Sequence, residues 1–218
     1  IIVKDLKKFE VTQTYINGLL VAENGKSLLK SIGRMDGDPT DQPVTRDPKT
    51  VNNFSCEKKK PADFTYPAEY WRKQNKSFMT QLPPASEKTL LTIPVIEALD
   101  GQLITNKTET EIEEGAELLS SNTAKDILKI VVVNRYSNAP VAKAFIKNFG
   151  LKTGAIASSV AHDSHNIVAV GVDDESLCRA VNLVIHEKGG ISCVSKEAER
   201  VLALPVAGLM SNKNGYEV

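Results

Sequence analysis

The sequence lacks an excess of charge of either sign and has no long apolar run, and both absences narrow the choice of partners. Its 218 residues include 27 lysines and arginines and 27 aspartates and glutamates, so the formal net charge is zero. Nucleic-acid and anionic-membrane binding favour a basic excess, and a membrane helix needs roughly 20 apolar residues. A signal peptide has a basic flank, then an apolar block and then a small-residue cleavage site, and these features do not occur in that order here. We therefore expect a cytoplasmic protein with no nucleic-acid and no membrane partner.

Cysteine is scarce, and several motifs that mark catalysis are missing. Cys56, Cys178 and Cys193 are odd in number and widely spaced, which argues against a disulfide framework and a zinc knuckle. Cys178 and Cys193 lie in apolar segments, so we expect both to be buried. The sequence contains no glycine-rich phosphate loop, no Gly-x-Ser-x-Gly elbow and no His-x-His pair.

Three regions of the chain differ in composition. Residues 1–33 predict a small β segment, because Asn17-Gly18 between apolar pairs is a strong hairpin signal and Asn24-Gly25 offers a second turn. Residues 34–89 predict an irregular, proline-rich connection without apolar periodicity, pinned to a neighbouring surface by the aromatic residues Phe54, Phe64 and Trp71. Residues 90–218 show the alternation of apolar and polar residues that is typical of a globular domain.

Within residues 90–218 the pattern predicts strands and helices together. Residues 127–134 are a continuous apolar run, typical of a central strand covered on both faces. Pro140 and the apolar spacing after it predict a helix, and Asp173 opens a second one with acidic residues in its first turn. Residues 155–161 and 167–172 predict two strands. The predicted fold class is α/β (α+β), a mixed sheet with helices packed on it.

The densest polar feature is the run His162-Asp163-Ser164-His165-Asn166, called here the polar cluster (residues 162–166). It holds two of the three histidines and lies between two strand-like apolar runs. Orphaned buried polar groups are costly, so a cluster in such a frame needs hydrogen bonds, a metal or a function. We expect a loop at a strand end, where both imidazoles can face one site.

Three functional roles are open for the polar cluster. The histidines can bind a metal, with Asp163 as a ligand or orienting partner; one histidine can shuttle protons; or Asp163, Ser164 and Asn166 can hydrogen-bond the edge of a polar substrate. The structural alternative is a tight turn in which the histidines bind backbone carbonyls. Two histidines and one aspartate are too few for a metal site without a third contributor, so a metalloenzyme built on them alone is the weakest reading.

Other candidate residues carry simpler interpretations. His186 is expected to be solvated near the C-terminus of its helix. The acidic residues that follow Thr108 predict a solvated turn or helix face: Glu109, Glu111, Glu113 and Glu114. Arg135 follows the central strand, where it can meet a ligand or form a surface ion pair.

The polar cluster also carries a family resemblance. Residues 154–174, GAIASSVAHDSHNIVAVGVDD, resemble the C-terminal region of bacterial adenine deaminases of the amidohydrolase superfamily. The likeness is close over residues 125–211 and includes DILKI, FGLKTG and LPVAGLMS; it is loose over residues 34–90. Residues 1–33 are similar to the small β segment that follows the catalytic barrel in these enzymes.

The resemblance implies hydrolytic deamination of adenine to hypoxanthine and ammonia, a step of purine catabolism. It implies manganese or iron held by an N-terminal amidohydrolase barrel, whose motifs this sequence lacks. We therefore expect no metal ligands from this chain and no activity from it alone. The expected partners are that barrel, in the same or a separate chain, adenine, and further copies in a homo-oligomer.

The resemblance also suggests roles for the polar cluster at the barrel mouth. His162, Asp163 and His165 are the candidate catalytic residues, as a proton relay or as groups that close the site. Ser164 and Asn166 are the candidate substrate-binding residues. The alternative from another functional class is a non-catalytic purine-binding or assembly module.

Overall fold

The computed structural model describes residues 1–29, 52–74, 90–113, 117–213, 215 and 217–218. The chain divides into two compact units, Ile1–Arg46 and Asp47–Val218. The domain boundaries predicted at residues 33 and 89 both lie outside the described residues. In the described part of the chain, no helix is both long and apolar enough to cross a membrane.

The first unit contains a four-stranded antiparallel sheet, ordered as in the sequence. Its strands are β1 (Ile2–Val3), β2 (Val11–Ile16), β3 (Leu19–Glu23) and β4 (Lys26–Ser27). The predicted Asn17-Gly18 and Asn24-Gly25 turns are confirmed: all four residues have positive φ, from 48° to 78°. A type I′ hairpin turn requires that geometry at both central positions, which explains the Asn-Gly choice.

The second unit is built on an eight-stranded mixed sheet. Its strands are β5 (Leu90–Ala98), β6 (Thr105–Glu113), β7 (Ile127–Val133), β8 (Ala142–Lys147), β9 (Ala155–Ser158), β10 (Ile167–Gly171), β11 (Gly190–Val194) and β12 (Glu199–Ala203). Their order in the sheet is β12-β11-β9-β10-β7-β8-β5-β6, and every neighbouring pair is antiparallel except β5 and β8. The helices among the described residues of this unit are a 3-10 turn (Pro61–Phe64), α1 (Ala68–Gln74) and α2 (Asp174–His186). The α+β class with a mixed sheet is confirmed.

The central strand and the long helix form where the sequence predicts them. Strand β7 lies between β10 and β8, and its side chains are buried or half-buried on both faces. Asp173 caps α2, and its carboxylate accepts a hydrogen bond of 2.7 Å from the Ser176 amide. The cap satisfies an amide that the first helical turn leaves unpaired.

The helix predicted after Pro140 is wrong, because this segment is strand β8. It pairs with β7 on one side and with β5 on the other. Phe145 and Ile146 are both buried, and they belong to the clusters on opposite faces of the sheet. Successive strand residues point to opposite faces, so a strand here buries both side chains.

The connection predicted as irregular contributes to the core over residues 52–74. Phe64 and Trp71 are buried, as their predicted pinning role requires, and Tyr66 packs its ring edge against Phe145 with centroids 5.0 Å apart. The Tyr66 hydroxyl bonds the carbonyls of Ile130 and Ala144 at 2.7 and 2.9 Å. The 3-10 turn and α1 give this part of the predicted connection regular structure.

A buried ion pair fixes the start of α2 to the sheet. Lys129 of β7 is 3% exposed, and its Nζ lies 2.5 Å from Asp174 Oδ1. The same ammonium lies 4.6 Å from the centroid of the Tyr66 ring. Burial raises the pKa of the Tyr66 hydroxyl above its ordinary value.

The two faces of the large sheet differ in what covers them. Helix α2 and residues 54–71 contribute to the larger core cluster on one face. The opposite face carries a smaller buried cluster of Leu128, Ile146 and Val170, to which neither of those segments contributes. We call this second side the open face.

Candidate functional site

The polar cluster lies in the loop that joins β9 to β10, at a strand end as predicted. Strands β9 and β10 are antiparallel neighbours, with Ser158 opposite Val168. Strand β10 also runs antiparallel to β7, with Ile167 opposite Val133. The loop therefore lies beside residues 134–137, which follow the end of β7.

The first two residues of the polar cluster project into solvent. The side chains of His162 and Asp163 are 96% and 91% exposed, with His162 Nδ1 3.2 Å from Asp163 Oδ1. The apolar strands on either side of the loop therefore do not enclose these two side chains. His186, predicted to be solvated, is confirmed as exposed; it contacts Glu187 at 2.9 Å.

His165 differs from His162 in its surroundings. Its side chain is half-buried, and its Nδ1 is enclosed by protein with no hydrogen-bond partner within the described residues. Asp163 and His165 both have left-handed backbone conformations, with φ of 67° and 49°. Such conformations cost about 1–2 kcal/mol per non-glycine residue and concentrate at functional sites.

Hydrogen bonds anchor the backbone of the polar cluster from behind. The Tyr136 hydroxyl donates to the Ser164 carbonyl at 3.1 Å, and the Arg135 amide donates to Asn166 Oδ1 at 3.3 Å. The His165 amide donates to the Ala161 carbonyl at 2.8 Å. Part of the polar capacity of Ser164 and Asn166, the predicted substrate-binding residues, is therefore used to hold the turn.

Arg135 is a buried cation, so the surface ion pair considered for it is excluded. Its side chain is 5% exposed, and it forms no ion pair with any carboxylate in the described ranges. Nη1 donates to the Ala207 carbonyl at 2.8 Å and Nη2 donates to the Tyr136 hydroxyl at 3.1 Å. The guanidinium also lies 4.7 Å from the Tyr136 ring centroid. Hydrogen bonds thus run from the C-terminal turn through Arg135 and Tyr136 to Ser164.

The C-terminal turn, residues 205–210, fits closely against this guanidinium. A Cβ atom on Gly208 would lie 1.7 Å from Arg135 Nη1. The buried Ser159 hydroxyl donates to the Gly208 carbonyl at 2.6 Å and accepts from the Gly190 amide at 2.8 Å. Tyr136, Ser159 and Gly208 support the loop but were not predicted to do so. Ser159 and Gly208 lie within the strings that carry the family resemblance, whereas Tyr136 lies outside them and had no such signal.

An apolar cavity of about 440 Å³ lies on the open face beside the polar cluster. His162, Ala161 and Val160 form its border toward the loop. Its other lining residues come mostly from the sheet, and include Ile130, Ile156, Val168, Val170 and Ile191. Such a lining offers few groups that could recognise a polar ligand by hydrogen bonds.

The described residues do not fit a metal centre. No group of three or more His, Cys, Asp or Glu side chains within them is arranged to hold a metal ion. His162 and Asp163 are adjacent but exposed, and His165 forms no ion pair with either. A catalytic metal usually needs three protein ligands around an open position.

Comparisons with known proteins agree on one family. The family model described as the adenine deaminase C-terminal domain matches residues 102–218. Proteins named adenine deaminase match the whole chain: one from Borreliella burgdorferi is 40% identical and one from a Sulfurovum species is 44% identical. One from Methanosarcina mazei is 41% identical. The chain covers 34%, 33% and 35% of these three proteins, so it spans about a third of their length.

Proposed function

This chain belongs to the adenine deaminase C-terminal domain family, and from that premise we propose that it is the C-terminal part of an adenine deaminase. The reaction is the hydrolysis of adenine. Water adds to the purine carbon that bears the amino group, the carbon–nitrogen bond breaks, and hypoxanthine and ammonia leave. The observation that carries the proposal is the match of the family model to residues 102–218, together with the match of named deaminases across the whole chain.

We assign the metal and the enclosure of the substrate to different parts of the enzyme, because the described residues of this chain do not fit a metal site. Because no three possible His, Cys, Asp or Glu ligands lie together among its described residues, we assign manganese or iron to the remaining two-thirds of the polypeptide, the amidohydrolase barrel. This chain would then bind, position and enclose rather than activate water. A homo-oligomer and a cytoplasmic location belong to the same proposal.

The polar cluster is the part of this chain that we assign to the site. Its backbone is fixed through Tyr136 and Arg135, while His162 and Asp163 project outward from it. A rigid loop with outward polar side chains is suited to close over a polar substrate. His165, whose enclosed Nδ1 has no partner in the described residues, can accept or donate a proton once the loop packs against the rest of the enzyme.

Alanine substitutions of the three histidines in the complete deaminase test this role. Positioned general acids or bases contribute about 10²–10⁴-fold to turnover, so His165→Ala should lower kcat for ammonia release from adenine by that order. His162→Ala should lower kcat or raise KM. His186→Ala is the matched control, because His186 is exposed on α2. A fall of less than twofold for both His162→Ala and His165→Ala would refute the assignment.

Mixing this chain with a separately produced barrel tests the division of labour. With manganese present, ammonia release should require both polypeptides. Release by this chain alone would overturn the barrel argument. Purine binding without turnover in the mixture would favour the non-catalytic purine-binding module instead.

A further inference from the structure

Strand β6 shows what a solvated face of this sheet looks like. Its open-face positions are occupied by charged residues, Lys107, Glu109 and Glu111, opposite Ile96, Pro94 and Thr92 of β5. These charged residues are exposed, whereas Thr108, Thr110 and Ile112 on the other face of β6 are half-buried. This is the charged-out alternation expected of a strand with one wet face. It also places Glu109, Glu111 and Glu113 in a strand, where a turn or helix was predicted. Glu109 and Glu111 are solvated as expected, and Glu114 lies outside the described residues.

The other end of the open face does not follow that rule. At the positions where a wet face carries charge, β11 has Ile191 and Cys193, β9 has Ile156 and β10 has Val168. Ile191 is 45% exposed and Cys193 is exposed. Leu202 of β12, opposite Ile191, and Val160 and Phe149 in the neighbouring loops are also exposed. Arg200 of β12, opposite Cys193, adds an exposed charge on the outermost strand. An apolar area of several neighbouring strands around a cavity marks an interaction surface.

We propose that this apolar part of the open face, formed by β9–β12 and the cavity beside them, is the surface on which the remaining two-thirds of the deaminase polypeptide docks. The inference rests on the proposed function. Two observations select this occupant. The matching deaminases are about three times as long as this chain, so each has a large further body that is joined to this region through the same polypeptide.

The second observation is the continuity between the cavity and the polar cluster. His162 borders the cavity and belongs to the loop assigned to the active site. The part of the deaminase that packs around the polar cluster therefore also reaches the rim of the cavity. A second copy of this chain seated in the cavity would compete with that body for Val160 and His162. The charged residues of β6 mark the edge of the area that we expect the docked polypeptide to cover.

Native Cys193 reports on this surface without any mutation. It is exposed on β11 of the open face, whereas Cys56 and Cys178 are buried. Burial raises the pKa of both buried thiols, which further slows their reaction with a maleimide at neutral pH. The rate of Cys193 alkylation is measured by mass spectrometry in this chain alone and in the complete deaminase. The control is Leu103→Cys in both, because Leu103 is fully exposed in the β5–β6 turn.

Docking should slow Cys193 alkylation at least about tenfold in the complete deaminase, since a packed interface thiol reacts only when the interface opens. The Leu103→Cys thiol should react equally fast in both proteins. Equal Cys193 rates would overturn the proposal. So would protection in the isolated chain that grows with its concentration, which would identify a second copy as the occupant.

A second variant separates this inference from the proposed function. Ile191→Asp in the complete deaminase should raise the rate of Cys193 alkylation at least about tenfold, because it buries an unpaired charge in the interface, while Leu103→Asp should leave that rate unchanged. If the histidine variants lose deaminase activity but Cys193 reacts equally fast in this chain alone and in the complete deaminase, the docking surface is refuted and the site assignment is not. If Cys193 is protected in the complete deaminase but the histidine variants are fully active, the site assignment is refuted and the docking surface is not.

Discussion

Gly208→Ala offers the sharpest test of how the polar cluster is held. The added Cβ would lie 1.7 Å from Arg135 Nη1, far inside contact distance, so the guanidinium must move. Arg135 would then lose its 2.8 Å bond to the Ala207 carbonyl while staying buried. A hydrogen bond made by a charged group contributes about 1.5–3 kcal/mol. The φ of +72° adds about 1–2 kcal/mol for any residue with a Cβ.

Gly150→Ala is a matched control for the backbone cost. Gly150 has a φ of +71°, and a Cβ there meets nothing within 4 Å. Both variants pay the left-handed penalty, but only Gly208→Ala displaces Arg135. The difference between their losses of unfolding free energy should therefore be about 1.5–3 kcal/mol.

Urea denaturation followed by tryptophan fluorescence measures this difference. The chain has one tryptophan, Trp71, which is buried in the core of the second unit and reports on the unit that contains both glycines. The slopes of the transitions should agree, so that the midpoints compare stability directly. If the two losses agree within about 0.5 kcal/mol, the usual spread of neutral substitutions, the close fit of Arg135 against the C-terminal turn is refuted.

Two further predictions concern the ion pair and the tyrosine beneath the sheet. Asp174→Asn leaves the ammonium of buried Lys129 without its carboxylate, so it should cost about 3–5 kcal/mol in the same urea assay. Arg179→Gln, which breaks a half-exposed pair with Glu199, should cost about 1 kcal/mol or less, and equal losses would contradict the burial argument. Because the pKa of Tyr66 is raised in the folded state, the protonated hydroxyl stabilises the fold. This contribution is complete below about pH 10, the ordinary tyrosine pKa, and is lost as the pH rises toward the folded-state pKa. Tyr66→Phe should remove up to about 1.4 kcal/mol per pH unit of that alkaline slope, and an unchanged slope would show that another group causes it.

Elements defined by local chemistry could be predicted from the sequence. The Asn-Gly turns need positive φ at two positions, and Asp173 supplies a side-chain acceptor to the first turn of α2. The continuous apolar run of β7 indicated burial on both faces. Each of these signals depends on residues within a few positions of one another, so no knowledge of distant parts of the chain was needed.

Elements decided by distant partners could not be predicted in this way. The spacing in β8 fits a helical face as well as a strand, and its pairing with β5 and β7 decides the outcome. Cys193 was predicted to be buried like Cys178. Cys178 is buried on α2, but Cys193 points to the open face, because strand register and not local hydrophobicity determines the side on which a residue lies.

The candidate site shows the same division between local and distant information. The position of the polar cluster at a strand end followed from its apolar flanks. Its exposure did not, since the loop projects beyond both strands. The support from Arg135 depends on the C-terminal turn more than 70 positions away, where the guanidinium meets the Ala207 carbonyl. A buried arginine without a carboxylate partner has no signature in sequence.

The structural interpretation of the polar cluster is confirmed for some of its residues, and the functional interpretation of its histidines stays a prediction. Asn166 and the backbone of Ser164 make the hydrogen bonds of a tight turn, as the structural alternative requires. The histidines do not bind carbonyls through their enclosed or exposed Nδ1 atoms: His162 faces solvent beside Asp163, and His165 Nδ1 has no partner in the described part of the chain. The hydrogen bonds of the turn thus come from its backbone and from Asn166, and neither imidazole contributes to them through Nδ1. An unpaired enclosed nitrogen destabilises a fold by about 1–3 kcal/mol. A partner from the rest of the enzyme would offset that cost at His165 Nδ1, so the site assignment depends on the histidines and not on Ser164 or Asn166.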